Sequence, residues 1–381
     1  MAYPVNYNGS LKPNEIYSAI YNMIISQQVF ADNLNFNEDF INRVEGSMLG
    51  DTLLKYSTDA LPVFDFGADA EATKLLELNR PEAPQCQAIT LDVFKQIRLS
   101  LDNYLTKRAW MDENAFSAFN SQMLGWMGDT KRVYDRSLNK VCKGTYETNE
   151  GEQEQTVSLP TVENDKEAEN RLQAQTIATK LADIFTALGD ESSDYNDYQN
   201  LRSYSKDDFE VIFNSAYANK ITKLDLPTIF HKDGLIDVSK TLPSKYFGKV
   251  GTFSASADTT ADGLTIRMLK PGFVTLTANA TIKGREKKAG DKVFLFAGEL
   301  IPSGIKVASK TAVLVPFYKE DSNIVCKIIH KRDFPYMSGF QAGTNFFNAR
   351  SLTDTHYTTF GHNPLDHLHN YPLITLRVSA E

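Results

Sequence analysis

The sequence predicts an α+β fold strung along one long helix, with an N-terminal arm, an extended two-stranded β-hairpin loop and a β-rich insertion attached to it. Three observations predict it. Apolar residues recur at spacings of mostly three and four from Phe116 to Val141, the period of an amphipathic helix. Ile89, Leu91, Val93 and then Ile97, Leu99, Leu101 alternate strictly, the period of a strand. Between residues 247 and 318, short β-prone runs are separated by Pro271-Gly272, Gly284 and Gly290-Asp291, the punctuation of a compact antiparallel unit.

Taken in order, residues 1–12 read as an extended arm carrying Tyr3 and Tyr7, and Pro13 opens a helix with Ile16, Ile20, Met23, Ile24 and Phe30 on one face. A second helical patch is expected over 40–54. Residues 61–102 read as a ribbon: 74–78 leads into a turn-rich tip at Arg80-Pro81-Glu82-Ala83-Pro84, and one long strand follows, with a bulge or change of face at Phe94-Lys95-Gln96. A two-stranded ribbon of that length needs a cover. Asp112 then caps the long helix, run to Lys143 and about 45 Å long. Its Gly125 and Gly128 each cost about 1 kcal/mol relative to alanine, so they are expected either to admit a closely packed element or to let the helix bend.

A short strand is expected at 156–159. A second helix over 165–188 buries Leu172, Ile177, Leu181, Ile184, Phe185 and Leu188 and stops at Gly189. Residues 209–213 form a buried strand and 215–223 a short helix. After the insertion come a strand at 324–330, an aromatic segment at 334–347 and a closing strand at 373–378.

Composition limits what such a fold does. The 381 residues exceed one typical domain. A net charge of −8 argues against a broad nucleic-acid-binding face, because phosphate neutralisation needs concentrated Lys and Arg. Cys86, Cys142 and Cys326 lack CxxC spacing, so buried free thiols in a reducing compartment are expected. The N-terminus lacks the features of a signal peptide, and no apolar run is long enough to cross a bilayer. A soluble product made in the cytoplasm is therefore expected.

Catalytic signatures are missing: there is no GxGxxG, no P-loop, no HExxH and no GxSxG. The one constellation that invites a metal is His356, His362, His367 and His369 with Asp354 and Asp366. Its spacing matches no mechanistic pattern, so the histidines are expected in surface or intersubunit hydrogen bonds, and no metal, cofactor or catalysis is predicted. The basic pairs Lys107-Arg108 and Lys131-Arg132 flank the start and middle of the long helix, where charges paired across subunits would give specificity.

The stretch IRLSLDNYLTKRAWMDENAFSAFNSQMLGWMGDTKRVYDRSLNKVCKGTY, residues 97–146, resembles the passage from extended loop into spine helix in major capsid proteins of small tailed phages (podoviruses). Residues 328–378 are similar to the end of those proteins. The resemblance implies the Johnson, or Hong Kong-type, capsid fold. It would divide the chain into an arm and leading helix (1–60), an extended loop (61–110), a peripheral domain with the spine helix (111–164, completed by part of 325–381), and an axial domain (165–381) with an insertion near 247–318.

It also implies a non-enzymatic homo-oligomer of pentamers and hexamers forming an icosahedral shell in the virion, made in the host bacterial cytoplasm. Its implied partners are a separate scaffolding protein, a portal protein and weakly contacted packaged double-stranded DNA, with no membrane. Assembly contacts are then expected at Tyr3, Tyr7, Arg80, Phe94, Lys107, Arg108, Gly125, Gly128, Lys131 and Arg132. The alternatives are an encapsulin-like shell, a tail or collar protein, and last a metalloenzyme on the late histidines.

Overall fold

The computed structural model describes residues 41–44, 52–61, 63, 80, 81, 83–102, 113–147, 153–196, 199–222, 240–250, 266–276, 278–301, 317–338, 340–365 and 371–379. The expected arm, the helix after Pro13 and the segment 74–78 lie outside them. In chain order the elements are β1 (Asn42–Val44), β2 (Thr52–Ser57), β3 (Gln85–Thr90), β4 (Val93–Asp102), α1 (Glu113–Thr145), β5 (Glu154–Val157), α2 (Lys166–Gly189), β6 (Phe209–Asn214), α3 (Ser215–Thr222), β7 (Lys240–Leu242) and β8 (Gly248–Lys249). They continue with β9 (Ile266–Met268), β10 (Gly272–Thr275), β11 (Ala280–Ile282), β12 (Arg285–Lys287), β13 (Lys292–Leu295), β14 (Phe317–Glu320), β15 (Ile324–His330), β16 (Pro335–Met337), β17 (Phe340–Asn348), β18 (Thr353–His362) and β19 (Leu373–Val378).

The main core is a five-stranded mixed sheet, β5-β19-β15-β6-β7, with α2 against one face and the end of α1 against the other. Every residue of β6 and β15 is buried, as in a sheet covered on both sides. Phe209, Val211 and Phe213 meet Ile177, Leu181, Ile184 and Leu188 of α2. Ile212, between them in sequence, faces the other way and joins Ile329, Phe334, Leu373 and the end of α1. Asp165 starts α2: its Oδ1 accepts from the N–H groups of Glu167 (3.1 Å) and Ala168 (3.0 Å). Leu172 is half exposed rather than on the buried face, and Gly189 is the last helical residue without a left-handed backbone.

Four further expectations change. The helical patch over 40–54 is replaced by β1, which pairs parallel with β16, and by β2. The long strand across 89–101 is two strands: β3 ends at Thr90 and pairs with β2, whereas β4 joins β18. Strict alternation continued across Leu91-Asp92, so sequence periodicity did not reveal the change of partner. The cysteines are not all buried, for Cys86 is exposed and Cys142 half buried. Finally, β18 is an unexpected ten-residue strand, central in the three-stranded sheet β17-β18-β4.

The β-rich part packs Ile266, Met268, Val274, Leu276, Ile282, Leu295, Ile301 and Phe317 into a small core. Its β11-β12 hairpin turns on Lys283 (φ 50°) and Gly284 (φ 74°), the paired positive φ of a type I′ turn.

The glycines of α1 make opposite demands. Nothing lies within 4 Å of a Cβ placed on Gly125 or Gly128, so of the two alternatives expected for them close packing does not hold among the described residues. A Cβ on Gly144 would fall on the Tyr246 carbonyl oxygen. Gly125→Ala and Gly128→Ala are each expected to stabilise the subunit by about 0.5–1 kcal/mol through helix propensity, whereas Gly144→Ala should cost about 1–3 kcal/mol by overpacking. Urea midpoints of the three variants check the signs, and a neutral Gly144→Ala would contradict the packing described.

Candidate assembly surfaces

Beside α1 lies the sheet β17-β18-β4, whose register pairs Tyr357 with Thr344 and Arg98, and His356 with Asn345 and Leu99. Residues directly opposite one another share a face. One face turns Phe360 and His362 onto Tyr134 of α1, with ring centroids 5.3 and 5.5 Å away. The other carries polar cross-strand pairs, Gln96 with Thr359 (3.2 Å) and Ser100 with Thr355 (3.0 Å). Phe94 (61% exposed) lies at one end of that face and Phe346 (63%) toward the other. Among the described residues, the outer edges of β4 and β17 pair with no strand, leaving rows of backbone donors and acceptors of the kind that recruit another chain.

Between α1 and β17 runs a cleft of about 450 Å³ lined by Met127, Gly128, Lys131, Gln341, Asn345 and His356 among others. Gly128 and Gly343, each open to a Cβ, keep its two walls thin. The opposite end of the interface is closed by a polar knot. The His362 Nδ1 lies 2.8 Å from the Asn363 carbonyl oxygen, which can only accept, so Nδ1 carries the proton and Nε2 accepts from the Tyr134 hydroxyl at 2.9 Å. Tyr336 stacks on His362 and donates to Asp135 Oδ1 (2.6 Å), while Lys131 reaches Asp135 Oδ2 at 3.3 Å. The Asn363 amide closes the knot, accepting from Met337 N–H (2.8 Å) and donating to the Pro335 carbonyl (2.8 Å).

A second surface is the β2-β3 ribbon. Its inner face holds Leu53 and buried Ile89, and Lys55 lies with its ammonium 5.8 Å from the Tyr371 ring centroid. Burial lowers the Lys55 pKa against the pull of Asp333. The outer face shows Leu54 (50% exposed) and Tyr56 (65%) beside Ala88 and Cys86. The ribbon is tied to the body where Asn200 donates to Ser57 Oγ, Leu201 N–H to Asp59 Oδ1 (2.9 Å) and Arg202 to the Thr58 carbonyl.

Of the residues expected from sequence, Phe94, Arg80, Gly125, Gly128 and Arg132 are exposed, and Lys131 is half buried. Lys131 and Arg132 pair within α1, with Asp135 and Asp129 (3.6 Å), so the subunit already supplies these two with partners. His356 sits 3.6 Å from Asp354. Both ring nitrogens of His362 are engaged in the knot, which removes it from any metal set. Tyr3, Tyr7, Lys107, Arg108, His367 and His369 lie outside the described residues. Sequence reasoning missed the β17-β18 hairpin and the ribbon's Leu54 and Tyr56. The period-two run Thr353, Thr355, Tyr357, Thr359 was a usable strand signal.

No protein-family model matches the chain, and no curated protein matches it. Solved structures do. A chain in the capsid structure of Staphylococcus phage Andhra aligns with a TM-score of 0.57 at 11% identity, covering 100% of this chain and 95% of that one. A chain in the structure of the head fiber and inner core protein gp22 of native bacteriophage P68 gives 0.55 at 10% identity, covering 99% and 94%. At such identity the likeness is one of fold, and it runs the length of the molecule. The chain has a mixed α/β, strand-rich phage capsid fold, and the resemblance drawn from its sequence is borne out at that level.

Burial lowers the His362 pKa below 6.5, with Lys95 and Lys131 adding to the shift and Asp135 and the Asn363 carbonyl opposing it. The unfolded chain then binds the proton first, so this contribution to stability is fully present above pH 6.5 and is lost as pH falls through the native value. His362→Gln is expected to be less stable at pH 7 and to lose less further stability than wild type between about pH 7 and pH 5. Equal slopes in urea unfolding would contradict the buried neutral imidazole.

Proposed function

We propose that this chain is the major capsid protein of a tailed bacteriophage, assembling through pentamers and hexamers into an icosahedral shell around double-stranded DNA. The observation that carries the reading is the full-length likeness to a chain of a phage capsid structure. In this reading α1 is the spine helix of a Johnson-type fold and the β17-β18-β4 sheet belongs to its peripheral domain. The five-stranded sheet with α2 forms the axial domain, and the extended loop starts from the β2-β3 ribbon. The role is structural rather than enzymatic.

Assembly completes what folding leaves open. The ribbon exposes Leu54 and Tyr56 on two strands that cannot form a core by themselves, and the free β17 edge beside the Gly128 cleft is a fitting seat for an extended segment of a neighbour. The arm, residues 1–12, is lent in the same way. Many weak contacts around closed rings then add through multiplicity. The net charge of −8 suits a wall that holds DNA without gripping it. The scaffolding and portal proteins are separate partners, the shell is part of the virion, and synthesis takes place in the host cytoplasm.

Electron microscopy of the purified chain, with and without its scaffolding partner, tests this directly. Closed icosahedral particles, or pentamer and hexamer rings, are expected, and a monodisperse monomer under every condition would overturn the reading. Tyr56→Asp and a chain starting at residue 13 should keep wild-type circular dichroism yet give about tenfold fewer shells. Wild-type yields from both would remove ribbon and arm from the account.

A further inference from the structure

The β-rich part carries a face whose outer end no described residue covers. β10 and β13 pair with Phe273 opposite Phe294 and Thr275 opposite Lys292, so these four side chains share one side, while Val274 and Leu295 turn into the module's core on the other. Phe296 extends the outer row, and the three rings form an edge-to-face ladder with centroid separations of 5.2 Å and 5.2 Å. The inner end of the ladder is anchored, because Phe296 packs against the cluster of Tyr134, Leu138, Tyr336, Phe360 and Leu365. The outer end is not, and Phe273 is 71% exposed. Lys292 lies on the same face, opposite Thr275. Residues 266–301 hold seven Lys and Arg against three Asp and Glu, in a chain whose net charge is −8.

We infer that this face docks on a second copy of the chain, with Phe273 as the apolar anchor and Lys292 and Lys288 as a basic rim meeting an acidic surface of the neighbour. The inference rests on the shell reading, which brings copies together, and adds a specific contact to it. A central aromatic within a charged rim is the anatomy of a protein interface. Charge complementarity names the occupant, since the module is basic and the rest of the chain is correspondingly acidic. A basic patch on an acidic one is a head-to-tail contact, the kind that closes into rings. Single-stranded nucleic acid fits less well: bases need flat ring faces in succession, and here each ring meets the next edge-on, at 69° and 89°.

Sedimentation of full-length wild type, Phe273→Ser and Lys288→Glu/Lys292→Glu tests the contact, with urea unfolding as the folding control. Both variants should unfold like wild type and self-associate about tenfold more weakly. Raising salt from about 50 to 500 mM should weaken wild type but not the lysine variant. Wild type that self-associates alongside variants that do so equally overturns this contact alone. Wild type that stays monomeric at every concentration overturns the shell reading as well. Unchanged self-association with lost binding to a single-stranded oligonucleotide would show a nucleic-acid face instead.

Discussion

The last three turns of α1 are the joint on which the other parts of the subunit are hung. From Tyr134 to Thr145 the helix is buried on nearly every side, and each side meets a different body. Tyr134 and Leu138 face Phe360 and Tyr336 of the β17-β18-β4 side. Val141 meets Ala297 and Tyr318 of the β-rich part, and Gly144 lies against Tyr246. Cys142 and Tyr146 pack on the five-stranded sheet, where the Tyr146 ring stands edge-on to fully buried Phe334 at 5.7 Å. Three bodies meet on this one segment.

Polar groups make the joint specific. Lys143 is fully buried, 3.3 Å from Asn42 Oδ1 and 3.8 Å from Glu210, which also pairs with Lys240 at 3.1 Å. Lys327, fully buried in the middle of β15, donates to the Tyr146 carbonyl just past the helix end, where the helix dipole favours a cation. Burial pushes its pKa down to about 7 against the opposing pull of Asp321 and Glu154. Arg377 joins Glu147, Asp321 and Glu154 alongside. Buried charges of this kind add little net stability, yet removing one partner is expensive. They therefore penalise any rearrangement that separates helix from sheet. At the far side of α1 conditions reverse: Trp126 is 59% exposed, Gly125 and Gly128 are open, and the cleft begins. One helix is thus enclosed at its C-terminal end and exposed farther up.

How much of this could be read from residues alone follows from the same physics. α1, α2, β6, β15 and β19 were legible because their side chains bury one face or two, and burial imposes a period or an unbroken apolar run. β18 was not, since its His, Thr and Asp residues suggested chemistry, and a strand with one polar face and a half-filled cleft on the other leaves a weak apolar signal. Strand partners were illegible too: alternation records which residues share a face, not which strand lies alongside, so β3 and β4 read as one. Of the exposed aromatics on these surfaces, Phe94 was singled out in sequence and Tyr56 was not, because an exposed aromatic on a ribbon looks in sequence like any strand residue.

The division between a finished joint and unfinished surfaces can be measured by hydrogen exchange, comparing subunit with assembled particle. The account predicts that amides of β6, β15, β19 and the last three turns of α1 exchange slowly in both states, whereas those of β2, β3 and the outer edge of β17 become protected only on assembly. Equal protection of β2, β3 and β17 in the free subunit would contradict it, because those surfaces would then already be complete.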